Sequence, residues 1–257
     1  MSPLNQPPYA KYSFLEHTGY LITPKISQKL IAVGHTSSVP PWMDPELHFH
    51  AHSEEYYLLL QGHLNLLVDQ ELIELRANEI LMVKPGIPHA IIGGQGAIEH
   101  FGIRAPALED KNPSGEVPRK RPQTVKDQSR EIICNWGYRI PLDSPVNQNC
   151  WLLGAGTARF QSNYLSLAYI NFPTSKAANA GIGTRHQLHL HQKSIEYYII
   201  LEGTLTLQVE DRYVVIKKGE VIEVSQSTCH TLHSRIAPYR AFTLRVPIEL
   251  SDKELCI

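Results

Sequence analysis

One spacing governs this chain: His48, His50, Glu55, Gly62 and His89 return as His189, His191, Glu196, Gly203 and His230, each after the same shift of 141 positions (48 to 189). The repeat is wider than those residues. Tyr56 and Tyr57 return as Tyr197 and Tyr198, Leu64 and Leu66 as Leu205 and Leu207, and Phe101, Arg104 and Pro106 as Phe242, Arg245 and Pro247, with no gap. So long a period indicates a duplicated domain, since solenoid units are typically about 20 to 50 residues. Each copy must then enclose its own core.

The local pattern in each copy is β. Runs such as YYLLLQGHLNLLV and YYIILEGTLTLQV are rich in aromatic, β-branched and leucine residues, and each is interrupted by a glycine where a hairpin turn is expected. No window of helical length sustains apolar residues at three- and four-residue spacing, which argues against a helical bundle and against alternating strands and helices. An all-β sandwich or barrel remains.

Strand geometry gives the histidine spacing a meaning. Side chains alternate faces, so His48 and His50, like His189 and His191, project from one face about 7 Å apart, near enough to share a metal ion. Glu55 breaks that parity, so the chain must turn or bulge within AHSE, and likewise within QKSI before Glu196. His89 and His230 come from a later strand, each 34 residues beyond its glutamate (55 to 89, 196 to 230). Imidazole and carboxylate ligands without thiolate suit a divalent ion, up to one per barrel, with iron or manganese favoured and nickel, copper or zinc also compatible. Four ligands on an octahedral ion leave two positions for water, substrate or dioxygen. A single histidine in an apolar strand is ordinarily a residue satisfied by a hydrogen bond. Three histidines and a glutamate converging twice have no such ordinary explanation.

These residues resemble a known family. HFHAHSEEYYLLLQG and VKPGIPH in the first copy, and HLHQKSIEYYIILEG in the second, resemble the two motifs of the cupin superfamily, and the duplication resembles bicupins. The resemblance implies two jelly-roll β-barrels with a metal inside each, held by His48, His50, Glu55 and His89 and by His189, His191, Glu196 and His230. There are two departures from the second motif. Asn78 stands where the family has glycine, and Ser225, Gln226 and Ser227 replace its proline and glycine, so a different turn is expected before His230. Bicupins include dioxygenases and oxalate-degrading enzymes, and other cupins are isomerases or hydrolases. The implied activity is a mononuclear metal oxidoreductase of dioxygenase type acting on a small organic acid, phenol or enol, with Glu55 or Glu196 as both ligand and base. The alternatives are a metal-dependent isomerase or decarboxylase, and a binding protein without turnover.

The remaining features set boundaries and partners. The prolines and charges of DKNPSGEVPRKRPQTVKDQSRE suggest a solvated linker over 109–131, Arg119 to Arg121 included, between a barrel at 1–108 and one at 132–257. Ile132 to Leu153, with Trp136 and Trp151, is expected to be an extended approach to the second copy. A formal net charge of -1 over 257 residues offers no general attraction for nucleic acid or membrane, leaving a small-molecule substrate as the expected partner. Neither a secretory leader nor an apolar run of about 20 residues is present, so a cytoplasmic location is expected, and the exposed edges of such barrels make a homo-oligomer possible. Cys134, Cys150, Cys229 and Cys256 form no CxxC pair and are expected to be free thiols, with Cys229 packing behind His230. Arg104 and Arg245 suit either a carboxylate anchor or a structural ion pair. His52 is expected at the rim. His63, His100, His186 and His233 occur in one copy only and are expected to be exposed or structural, with proton transfer as the other reading.

Overall fold

The computed structural model describes residues 8–14, 19–23, 27, 29–39, 44–115, 132–135, 137–142, 150–154, 160–174, 179, 187–249 and 252–256, and their regular structure is strand throughout. The chain divides into two units, His17–Asp143 and Met1–Glu16 with Ser144–Ile257. Strand β1 (Tyr9–Ser13) belongs to the second. The first holds β2 (Gly19–Ile22), β3 (Ala32–Ser38), β4 (Asp44–His50), β5 (Glu54–Val68), β6 (Glu71–Arg76), β7 (Glu79–Val83), β8 (His89–Ala105), β9 (Lys111–Pro113), β10 (Ile132–Cys134) and β11 (Gly137–Pro141). The second continues with β12 (Cys150–Gly154), β13 (Phe160–Gln161), β14 (Ser166–Phe172), β15 (His189–His191), β16 (Ile195–Val209), β17 (Arg212–Lys217), β18 (Glu220–Val224), β19 (His230–Val246) and β20 (Lys253–Leu255).

The two sheets have one plan. The first runs β10-β11-β7-β5-β8-β3-β2, with β6 on β5 and β4 between β8 and β9; the second runs β1-β18-β16-β19-β14-β12-β13, with β17 on β16 and β15 between β19 and β20. Both are jelly-roll barrels of cupin type. Their long strands differ from expectation at one point, because Gly62 and Gly203 are not hairpin turns. β5 and β16 run straight through them as 15-residue strands with a shift of register. At Gly62 φ is +81° and a Cβ would lie 2.5 Å from the Ala97 carbonyl; at Gly203 φ is +79° and it would lie 2.3 Å from that of Ile236. Glycine here makes a bulge that lets one strand pass from one half of the barrel to the other. The hairpin turns come later, at Asp69 and Gln70 and at Glu210, all with positive φ.

Period-two alternation fills each interior. Tyr57, Leu59, Leu64, Leu66 and Val68 pack with Leu81 and Val83 in one barrel, and Tyr198, Ile200, Leu205, Leu207 and Val209 with Ile222 and Val224 in the other. Each such side chain contributes roughly 1.5–3 kcal/mol on full burial. Glu55 and Glu196 stand two residues before Tyr57 and Tyr198, so the same alternation turns them into the barrel.

The boundaries differ from 1–108, 109–131 and 132–257. Asp110 is buried and Lys111–Pro113 pairs with β4, so the first barrel continues through the start of the expected linker. Residues 116–131, Arg119 to Arg121 among them, and Trp136 lie outside the described residues. Ile132–Pro141, expected to lead into the second copy, belongs to the first barrel's sheet: β10 pairs with β11, and β11 with the edge of β7. The corresponding edge, β18, is taken by β1 from the beginning of the chain. A buried sheet edge needs partners for its N–H and C=O groups, and any extended segment can provide them.

Candidate metal centres

β4 ends at His50, the chain bends through Ala51, His52 and Ser53, and β5 starts at Glu54; the second barrel repeats this through Gln192, Lys193 and Ser194. The turn lies where parity requires it. His48 then pairs in register with His89, and His189 with His230. In each barrel the ligand atoms of the three histidines and the glutamate all lie within 4.8 Å of one another. Glu55 Oε2 is 2.7 Å from His89 Nε2, 3.2 Å from His50 Nε2 and 3.8 Å from His48 Nε2. Glu196 Oε2 is 2.9 Å from His230 Nε2 and 3.8 Å from His191 Nε2.

All six rings are oriented from behind. His48 Nδ1 meets the Glu46 carbonyl at 2.8 Å, His89 Nδ1 that of Ile87 at 2.8 Å, His189 Nδ1 that of Gln187 at 2.8 Å and His230 Nδ1 that of Thr228 at 2.9 Å. His50 Nδ1 meets Asp110 Oδ1, and His191 Nδ1 meets Asp252 Oδ1, both at 3.0 Å. Carbonyls and carboxylates only accept, so each Nδ1 donates, and in the neutral ring each Nε2 is left with a lone pair facing inward. Lone pairs and a carboxylate converging in a buried place are the donor set a divalent cation takes, with second partners that hold it in position. The residues present therefore fit the ion.

The two aspartates escaped the sequence reading. Asp110 and Asp252 are 142 positions apart, one more than the repeat, and Asp110 lies in the stretch read as linker. The turn before the last ligand also differs from expectation. Ser227 adopts φ +57° where Gly86 has +80°, and the N–H groups of both donate over 2.7 Å to the carbonyls of His191 and His50. The serine accepts a left-handed conformation, so the missing glycine leaves the turn unchanged.

Titration separates the two sets. Burial disfavours the Glu55 carboxylate, but His48, His50 and His89 outweigh it and hold the group well below the usual range; Glu196 is held low against burial mainly by His230. Burial opposes a charge on His48, yet Glu55 and the Glu46 carbonyl raise it. Its counterpart His189 is pushed down to about 4, by burial first and then by His230.

Each centre opens into a cavity. The first, about 270 Å³, is lined by Gly34, Thr36, His100, Gly102, Arg104 and Lys111. The second, about 240 Å³, is lined by Trp151, Ala168, Ile170, Thr243, Arg245 and Lys253. Arg104 stands opposite Glu55 in register, and Arg245 opposite Glu196. Both Nε atoms are buried with no hydrogen-bond partner among the described residues, and the Arg245 guanidinium lies 5.1 Å from the Trp151 ring centroid. This favours the anchoring reading over a structural ion pair. His100 is buried beside the first centre and pushed down to about 4, by burial and then by His35. His52, His63 and His233 are exposed, and His186 lies outside the described residues.

The expectation of free thiols fails at one pair, for Cys229 and Cys256 form a disulfide with a Cα–Cα distance of 6.2 Å. β20 runs antiparallel beside β15 and brings Cys256 to Cys229, the residue before His230. Among the described residues no helix is long and apolar enough to cross a membrane.

The Cupin domain family matches residues 35–95 and 180–237. No curated protein sequence matches. Among solved structures, oxalate decarboxylase, in a study of its substrate binding mode and a reaction specificity switch, superposes with a TM-score of 0.62 at 12% identity, over 95% of this chain and 78% of that one. The Bacillus subtilis oxalate decarboxylase at pH 4.6 gives 0.60 at 13% identity, over 93% and 76%. The same enzyme, in a study of its Mn(II) centres, gives 0.61 at 13% identity, over 95% and 78%. At such identity the likeness is one of fold.

Proposed function

Because the chain belongs to the cupin superfamily, with two cupin barrels in one polypeptide, we propose that it is a metal-dependent enzyme that releases carbon dioxide from a small organic acid. The observation that carries the reading is the buried, unpartnered guanidinium Nε beside each ligand glutamate, a cation placed to meet a carboxylate. The likeness in fold to oxalate decarboxylases supports it and makes manganese the first ion to test. This reading replaces the dioxygenase-like oxidoreductase as the better supported one.

His48, His50, Glu55 and His89, and His189, His191, Glu196 and His230, would hold the ions. A bound ion supplies a Lewis acid that withdraws charge from a carboxylate oxygen. Arg104 can pair with an acid through two parallel N–H···O bonds, while Lys111 on the same cavity wall is paired with Glu46 over 2.6 Å. Glu55 meets its histidines through Oε2, which leaves Oε1 as the atom for any proton transfer. In the reaction the C–C bond to the departing carboxylate breaks, carbon dioxide leaves, and one proton takes up the electron pair left on carbon.

Manganese-loaded protein should release carbon dioxide from oxalate or a related dicarboxylate without a matching uptake of oxygen, and Arg104→Ala should lower the rate about tenfold or more. Stoichiometric oxygen uptake without carbon dioxide would support the dioxygenase instead. Binding of the acid with neither gas exchanged would leave a binding protein.

A further inference from the structure

We infer that the Cys229–Cys256 disulfide is a redox-controlled clamp on the second metal centre, a device the first centre lacks. The inference rests on reading His189, His191, Glu196 and His230 as a metal site. Two of those ligands, His189 and His191, lie on β15, a strand of only three residues that meets β19 at the single pair His189↔His230. Its other side carries β20, whose sole partner strand among the described residues is β15. β20 follows Asp252, the acceptor that orients His191. Half of the coordination sphere, with its orienting carboxylate, therefore hangs on a narrow junction.

The disulfide spans that junction. Cys229 adjoins His230 at the start of β19, Cys256 follows β20, and the bond ties the two strands flanking β15 to each other. The first barrel has the same backbone pattern: Ser114 N–H donates to the Leu47 carbonyl as Cys256 N–H donates to that of Leu188, and the carbonyls of Pro88 and Cys229 accept from Asp69 and Glu210. The residues at the bonded positions there are Pro88 and Ser114, which cannot be linked.

The first centre is held by hydrogen bonds instead. β4 meets β8 at two positions, Asp44↔Ile91 and His48↔His89. Asp110 Oδ2 accepts from the N–H of His52, the N–H of Ser53 and the Ser53 hydroxyl, whereas Asp252 Oδ2 accepts from the Ser194 N–H while the Ser194 hydroxyl goes to the Pro247 carbonyl. The covalent link thus stands where the hydrogen-bonded one is thinner. Disulfides persist in oxidising surroundings and open in reducing ones. A dithiol reductant would supply two electrons and two protons, leave thiols on Cys229 and Cys256, and become a disulfide itself. Freed β20 would then release Asp252 from His191.

The test isolates each centre in the full-length chain: His50→Ala leaves the second, His191→Ala leaves the first. Mn(II) affinity is measured by the electron paramagnetic resonance signal of the free ion with the bond intact, after dithiol treatment and anaerobic desalting, and in Cys229→Ser/Cys256→Ser. Loss of an orienting partner weakens metal binding by 10–100-fold, so the second centre should weaken about tenfold in both forms while the first stays unchanged. Unchanged affinity at the second centre, or equal weakening at both, overturns the clamp. So does denatured air-equilibrated protein in which Cys229 and Cys256 alkylate as thiols. If the intact second centre takes no Mn(II), the metal reading itself falls, and the clamp with it.

Discussion

At equivalent register positions the wall over the first centre is built from Gly34, Thr36, His100 and Gly102, and the wall over the second from Ala168, Ile170, Ala241 and Thr243. Tyr20 on β2 faces Gly34, and Trp151 on β12 faces Ala168. The ligands in front of these walls are identical. Coordination tolerates little change, because ligand type and parity decide whether a centre exists, whereas the wall needs only to be filled. In the first barrel it is left open: a Cβ on Gly102 would meet nothing within 4 Å, and one on Gly34 only carbonyls at 3.8 and 3.9 Å. The first wall thus sets Thr36 and His100 beside two glycines, while the second sets Trp151 beside Ala168 and Ile170.

The largest effect that tests this pairing is loss of a ligand. His50→Ala and His191→Ala should each remove one of two metal equivalents, by metal analysis of the purified protein, and leave the other. Loss of both from either variant would mean that the centres are not independent.

The next contrast is at the sheet edges. Arg139 on β11 is nearly buried, donating to the Glu74 carbonyl over 2.7 Å and lying 3.9 Å from Glu79, itself nearly buried. Arg139→Ala removes the hydrogen bond to the Glu74 carbonyl and the cation near Glu79, at about 1–3 kcal/mol. Urea unfolding would show it as a lower midpoint for the first barrel. An unchanged midpoint would mean the pair is not structural.

A comparable effect depends on pH. His100 has a folded pKa of about 4, against roughly 6.5 when unfolded, and its counterpart Ala241 cannot titrate. Below about 6.5 the unfolded chain takes up this proton first, so stability falls as pH drops toward about 4 and then levels off. The loss approaches about 3 kcal/mol, at 1.36 kcal/mol per pH unit. His100→Gln should flatten that portion of the curve in metal-free protein between pH 7 and 4.5. Equal slopes in the variant and the parent would show that His100 is not buried as described.

These contrasts follow what was legible in the chain. The ligands and the all-β fold could be read because metal chemistry and strand parity demand particular residue types at particular spacings. Gly62 was read as glycine but assigned to the wrong device, since a hairpin and a bulge both use positive φ. The walls were hidden because β3 and β14 are offset by 134 positions (34 to 168), outside the gapless repeat, and the Cys229–Cys256 link because 27 residues separate its ends. The exchange of edges left no mark, since β1 and β11 pair through backbone groups that every residue except proline provides in full.

That exchange yields the smallest and sharpest prediction. Lys11 on β1 pairs in register with Ile222, the repeat of Leu81, which pairs with Arg139, so one structural position is filled from the beginning of the chain in one barrel and from its middle in the other. Lys11 Nζ lies 2.7 Å from Glu220, the repeat of Glu79, yet the lysine side chain is 34% exposed where that of Arg139 is 8%. Water and salt screen the exposed pair, so Lys11→Ala should lower stability by less than about 1 kcal/mol, an effect that molar salt erases. The five paired residues of β1 would hold the second edge without it. A loss as large as that of Arg139→Ala, persisting in salt, would show that charge rather than backbone pairing closes both barrels.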